Sequence, residues 1–128
     1  MSYYFTKEIN KEFDEVITLL SEELKKEGFG ILTEIDVKDT LKKKIDVDFR
    51  RYKILGACNP NFAYRALMAE DKIGVLLPCS FIVQEKGPGV TEVACMNPQV
   101  AMKDVDNTDM ESIAADVTRK LNHVIESL

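Results

Sequence analysis

Two thiols bracket the part of this chain best suited to chemistry. Residues 56–80 read GACNPNFAYRALMAEDKIGVLLPCS. Cys58 closes a predicted strand, Asn59 and Pro60 open a helix, and Cys79 follows Pro78 where the next strand should begin. Strand ends are where loops build sites. Cys58 lies one residue before the expected helix cap, where the positive end of the helix dipole favours a thiolate. The same free N–H groups could hold an anion.

Thiols and an arginine beside a largely apolar wall have the makeup of a pocket. The expected site is therefore edged by Cys58, Asn59, Arg65 and Cys79, with a small molecule or a soft metal ion as its ligand. No catalytic residue and no cofactor is named by these residues. Two other function classes stay open. One is an enzyme that uses a cysteine thiolate in redox or thiol-transfer chemistry, which requires an unusually acidic thiol. The other is a structural or partner-binding domain whose cysteines are inert, since free cysteine packs as a small apolar residue.

The remaining reactive side chains exclude more than they suggest. The single histidine, His123, projects about 130° from the centre of its helix's apolar stripe at 3.6 residues per turn. It should be at the surface, which argues against a Ser-His-Asp or Cys-His triad. The cysteines at 58, 79 and 95 show no C-x-x-C spacing, so a structural zinc site is not expected. Cys79 and Cys95 should be diagonal neighbours on one sheet face, about 7–8 Å apart and beyond disulfide reach. Acidic pairs on the first and last helices occupy solvated positions. Gly87-Pro88-Gly89 is a turn without the G-x-x-x-x-G-K pattern of a phosphate loop.

The elements that must position these residues can be read from periodicity. Tyr3 to Ile9 predicts a strand, and Asn10 is placed to cap the helix after it. Phe13, Val16, Ile17, Leu20 and Leu24 then fall within about 100° of arc, one core-facing stripe. Gly28 stops that helix. Phe29 to Ile35 alternates as a strand, and Asp36 with Asp39 opens a short helix through Val37, Leu41 and Ile45. Arg51 to Cys58 is a third strand. The helix after Asn59 runs to about Glu70 with Pro60 in its first turn. It is apolar nearly all round, so cover on both sides is expected. Cys79–Lys86 and Val90–Met96 form a hairpin in which Phe81 faces Cys95, Val83 faces Val93 and Gln84 faces Glu92. Asp109 to Leu128 is the last helix, with Met110, Ile113, Ala114, Val117, Leu121, Val124, Ile125 and Leu128 inward.

The order β-α-β-(α)-β-α-β-β-α predicts an α+β fold: an antiparallel sheet with two long helices packed on one face, plus short helices. A sheet covered on one face should be polar on the other. Leu32, Leu55, Ala57, Ile82 and Ala94 are assigned to that second face, with Tyr64 and Met68 as a further apolar patch. An identical subunit is the simplest cover, so a homodimer is expected.

Composition sets the outer bounds. A chain of 128 residues, 45% hydrophobic and 30% charged, is one domain (1–128) with a core of its own. A net charge of −5 argues against a nucleic-acid partner. The run Lys42-Lys43-Lys44 reads as a solvated helix end. No apolar run approaches the roughly 18 residues of a membrane span. The opening MSYYFTKEIN lacks a basic segment followed by an apolar one, so no secretory signal is expected. An odd number of cysteines fits reduced thiols in a cytoplasm.

Four segments carry a resemblance: GFGILTEIDV (28–37), TLKKKIDVDFRRYKILGACNP (40–60), AYRAL (63–67) and IGVLLPCSFIV (73–83). With the paired blocks GACNP and LLPC, the chain closely resembles the bacterial and archaeal family catalogued as domain of unknown function 302. Asn97-Pro98 stands where many members carry Asp-Pro, and Ser80 where Asn often follows the second cysteine. The resemblance implies a small α+β domain with two long helices on an antiparallel sheet, and a homodimer. It marks Cys58, Asn59, Pro60 and Cys79 as motif positions and implies no established activity.

Overall fold

A computed structural model describes residues 1–128. The elements in chain order are β1 (Tyr4–Ile9), α1 (Phe13–Lys26), β2 (Gly30–Asp36), α2 (Val37–Ile45), β3 (Tyr52–Cys58), α3 (Pro60–Ala69), a 3-10 turn (Ile73–Leu76), β4 (Cys79–Gly87), β5 (Val90–Met96), α4 (Pro98–Ala101) and α5 (Thr108–Glu126). The strands form one antiparallel sheet in the order β1-β5-β4-β3-β2. The architecture is the α+β fold expected from the sequence. The 3-10 turn and α4 are additional.

The two long helices bury one stripe each. Phe13, Val16, Leu20 and Leu24 of α1 and Met110, Ile113, Ala114, Val117, Leu121, Val124 and Ile125 of α5 are buried. They meet Leu55, Phe81, Val83, Val93 and Cys95 from the sheet in a single hydrophobic cluster. The hairpin register is the expected one, with Phe81 opposite Cys95, Val83 opposite Val93 and Gln84 opposite Glu92. Pairing runs on to Gly87 and Val90, which leaves Pro88-Gly89 as the loop. Gly89 takes the left-handed conformation, φ 68°, that such a turn requires.

Three local expectations need correction. Asn10 does not cap α1. The Thr91 hydroxyl donates to Lys11 O at 2.8 Å, and the helix starts only after an extended Glu12 that has no side-chain cap bond. Leu55 and Ala57 do not face outward. They pair with Phe81 and Cys79 and lie under the helices, each only 1% exposed. Both faces of β3 are apolar, so alternation alone does not select one, and it is the Leu55–Ala57 face that packs against the helices. The opposite face instead pairs Ile54 with Ile82 and Ile82 with Ala94. Finally, α3 is covered on one side only: Ala66 is its one buried residue, while Tyr64, Leu67 and Met68 are exposed.

Candidate functional site

Helix α3 forms one wall of a cavity and is held at both ends by asparagine. Asn59 is its N-cap: Oδ1 accepts from Asn61 N at 3.2 Å and Phe62 N at 3.4 Å. Its Nδ2 donates to Glu27 O, the last residue of the α1 turn, at 3.2 Å. At the other end Asn107, the N-cap of α5, donates through Nδ2 to Ala69 O at 2.8 Å while Oδ1 accepts from Met110 N. Each amide satisfies orphan backbone groups of two helices at once.

The cavity lies between α3, α5, α4 and the ends of β3 and β4, with a volume of about 330 Å³. Fifteen of its 19 lining residues are hydrophobic. Phe29, Ala57, Phe62, Ala66, Met110 and Ala114 are among them, and no charged side chain is. Cys58 and Cys79 both line it, as does Asn59. Thus three of the four expected site residues come together.

Arg65 does not join them. It lies in a separate groove with Tyr64, Met68 and Asp109, its guanidinium 5.5 Å from the centre of the Phe62 ring. The helical turn explains this: Ala66 faces inward, so its neighbour Arg65 points away. Asn59 lines the wall, but its carbonyl oxygen is committed to the helix cap and its amide to Glu27. Its visible role is architectural.

Local sequence also fixes the entry to β4. A Cβ at Gly56 would meet Thr33 Oγ1 at 2.2 Å and Pro78 Cγ at 2.6 Å. Only glycine lets Thr33 and Pro78 close over β3 in this way. Pro78 then delivers Cys79 to the start of β4, opposite Ala57. Ser80 is exposed and lies opposite Gly56 on the outer sheet face, the face opposite to that of Cys79.

The three thiols are free and chemically unequal. Burial pushes Cys79 up to about 11, and the neighbouring Cys58 adds to the effect. Burial also raises Cys95 well above the ordinary thiol range, with Cys79 contributing. Cys58 alone is only half-buried. No three His, Cys, Asp or Glu side chains converge anywhere in the chain.

Sequence reasoning missed a polar cluster beside this site. His123 is exposed, as expected, and its Nδ1 lies 2.6 Å from Glu27 Oε1, with Lys120 Nζ 3.4 Å from Oε2. The His123 hydrogen bond, with help from Lys120, holds the Glu27 carboxyl below its ordinary range. The partners are 96 residues apart, and no spacing rule connects them. Asn97, also missed as a structural residue, is 2% exposed; it accepts from Gln99 N and donates to Ser2 O, both at 3.1 Å.

No helix is long and apolar enough to cross a membrane. No curated protein matches the chain. The crystal structure of an uncharacterized conserved protein DUF302 from Bacillus stearothermophilus is similar over 98% of both chains, with 30% identity and a TM-score of 0.90. The model of the family described as domain of unknown function DUF302 matches residues 5–128, and the chain belongs to that family.

Proposed function

We propose that this protein is a small-molecule binding module whose ligand is neutral and largely apolar. The observation that carries this reading is the cavity of about 330 Å³ whose lining includes two thiols and no charged side chain. Its size falls at the lower end of the roughly 300–1,000 Å³ typical of ligand pockets. An anion or cation placed there would lose hydration without a charged partner to replace it, so a neutral ligand is favoured. A soft metal ion is less well supported, because it would be held by thiolates and burial keeps Cys79 protonated. A thiolate enzyme is less well supported too, since burial keeps Cys79 and Cys95 protonated.

The test is a neutral fluorescent probe, N-phenyl-1-naphthylamine, which brightens in apolar surroundings. Saturable binding to the wild type is expected, and Ala114→Leu, which fills the cavity from α5, should weaken it at least about tenfold. Unsaturable fluorescence, or equal affinity in the variant, rules the cavity out as the site.

The homodimer belongs to the same proposal. Leu32, Tyr64, Met68 and Val75 are 68%, 66%, 71% and 85% exposed, an amount of bare large apolar surface that a second copy would cover. Light scattering at micromolar concentration should give twice the mass of the chain; a monomer mass ends this part of the reading. A cytoplasmic setting, where thiols stay reduced, suits three unpaired cysteines.

A further inference from the structure

We infer that a second copy of this chain closes the mouth of the cavity, so that ligand binding and dimerisation strengthen each other. The inference rests on the cavity and the dimer proposed above and makes them one site.

Exposure locates the mouth. Three lining residues are exposed, and they come from three elements: Leu32 on β2, Leu67 on α3 and Gly74 in the 3-10 turn. Every other lining residue is buried or half-buried. The bare apolar surface continues outward from this opening. Met68 follows Leu67 and Val75 follows Gly74; both are exposed, and neither lines the cavity. Ligand pockets bury roughly 70–90% of their ligand's surface. An opening on this side leaves part of an apolar ligand in water. A cover seated on Leu32, Leu67, Met68 and Val75 removes that contact and buries the rim as well.

Charge identifies the cover. Beside the rim, the groove lined by Tyr64, Arg65, Met68 and Asp109 shares Ile113 with the cavity. Its only charged residues are Arg65 and Asp109, one of each sign. The arginine ion pairs within the chain belong to Arg51 and Arg119, and Arg65 and Asp109 enter none. A two-fold interface sets the same patch on both subunits, so that residue i meets j and j meets i. Arg65 then meets Asp109 of the partner subunit, and the pairing repeats across the axis. A partner of opposite charge would call for an excess of one sign here. The groove has none, although the chain as a whole carries −5.

Sedimentation velocity over a dilution series of the full chain, with and without N-phenyl-1-naphthylamine, reads the coupling. Linkage is reciprocal. The probe should bind the dimer at least about tenfold more tightly than the monomer, so saturating both sites should tighten the dimer about a hundredfold. Val75→Asp puts an unpaired charge in the seam and changes no residue of the cavity lining. It should be monomeric, keep the wild-type circular dichroism, and bind the probe about tenfold more weakly. Arg65→Glu and Asp109→Arg should each dimerise at least about tenfold more weakly alone and recover when mixed, because both crossed pairs then match in sign. A wild-type dimer indifferent to the probe overturns the inference and leaves the cavity and the dimer standing separately. So does a Val75→Asp protein that stays dimeric, or a monomer of it with wild-type probe affinity. Failure to recover on mixing removes the pairing that identifies the second copy and overturns it too. A wild-type monomer throughout ends the dimer reading along with the inference and leaves the face to another partner. Absence of probe binding ends the cavity reading along with it.

Discussion

The Asn59 side-chain amide donates to the Glu27 carbonyl oxygen at 3.2 Å, so the end of α1 and the start of α3 share a single side chain. Gly28 makes the approach feasible: it sits at φ 82°, and a Cβ there would come within 3.0 Å of that same amide nitrogen. Asn59→Ala removes both the cap and the tether and should cost about 0.5–2 kcal/mol for the cap alone. Asn59→Ser keeps a capping oxygen but cannot reach across as a donor, so its loss should fall between wild type and alanine. Urea denaturation of the three proteins checks the order. Equal stabilities for the serine and alanine variants would show that the cap contributes nothing here.

Gly56→Ala tests the close packing of Pro78 and Thr33 over β3. The added methyl meets both Thr33 and Pro78 at distances that real contacts do not tolerate. Overpacking of this kind costs about 1–3 kcal/mol. Because Pro78 also lines the cavity, binding of N-phenyl-1-naphthylamine should weaken along with stability. A variant as stable as wild type with unchanged probe affinity would mean that Pro78 moves freely and that its contact with Gly56 does not shape the cavity.

Cys79 gives stability a dependence on alkaline pH. Its folded-state pKa is raised to about 11, above the roughly 8.5 of an unfolded-chain thiol. The folded state thus holds the proton more tightly. The contribution is fully present below about pH 8.5 and is lost as pH rises through about 11. Cys79→Ala loses packing at every pH, yet its stability should fall less steeply over this window than that of the wild type. Parallel curves from thermal melts at pH 8 to 10.5 would contradict the buried, protonated thiol.

The parts of this fold that were legible in the sequence are those written in local patterns. The stripes of α1 and α5 and the hairpin register follow from spacing, because each buries one consistent face. The face of β3 was not legible, since Ile54 and Leu55 are equally apolar and only tertiary packing tells them apart. The same limit applies to α3, whose apolar residues exceed what a single chain buries. At the site, Cys58 and Cys79 were found from motif-like blocks beside prolines. Arg65 was misplaced because a one-residue step on a helix turns a side chain by about 100°. Glu27, His123 and Lys120 left no trace, as their association depends on how α1 and α5 pack.

That ionic cluster predicts an acid-side effect. The His123 hydrogen bond and Lys120 lower the Glu27 folded-state pKa, so the cluster's stabilisation is present above the ordinary carboxyl range near 4.3 and is lost as pH falls through the folded value. Glu27→Gln should be less stable than wild type at pH 7, by no more than about 1 kcal/mol for so exposed a pair. The gap should close as the pH falls below the carboxyl range. A gap that persists in acid would place the effect of the substitution in packing or in the backbone turn.

Asn97→Asp separates capping from tethering at the second short helix. Aspartate caps a helix as well as asparagine does, so by that measure the change is neutral. Asn97, however, is 2% exposed and its Nδ2 donates to Ser2 O at 3.1 Å. A carboxylate cannot donate, and at this position it would face a carbonyl oxygen in a buried setting. Losing a buried partner costs about 1–3 kcal/mol, and the segment before β1 should loosen. Hydrogen exchange gives a specific readout: the amide of Asn97 donates to Tyr3 O at 2.8 Å, and its protection should fall in the variant. Unchanged protection and stability would show that the Ser2 contact does not hold the N-terminal segment, leaving the cap on Gln99 as the residue's whole contribution.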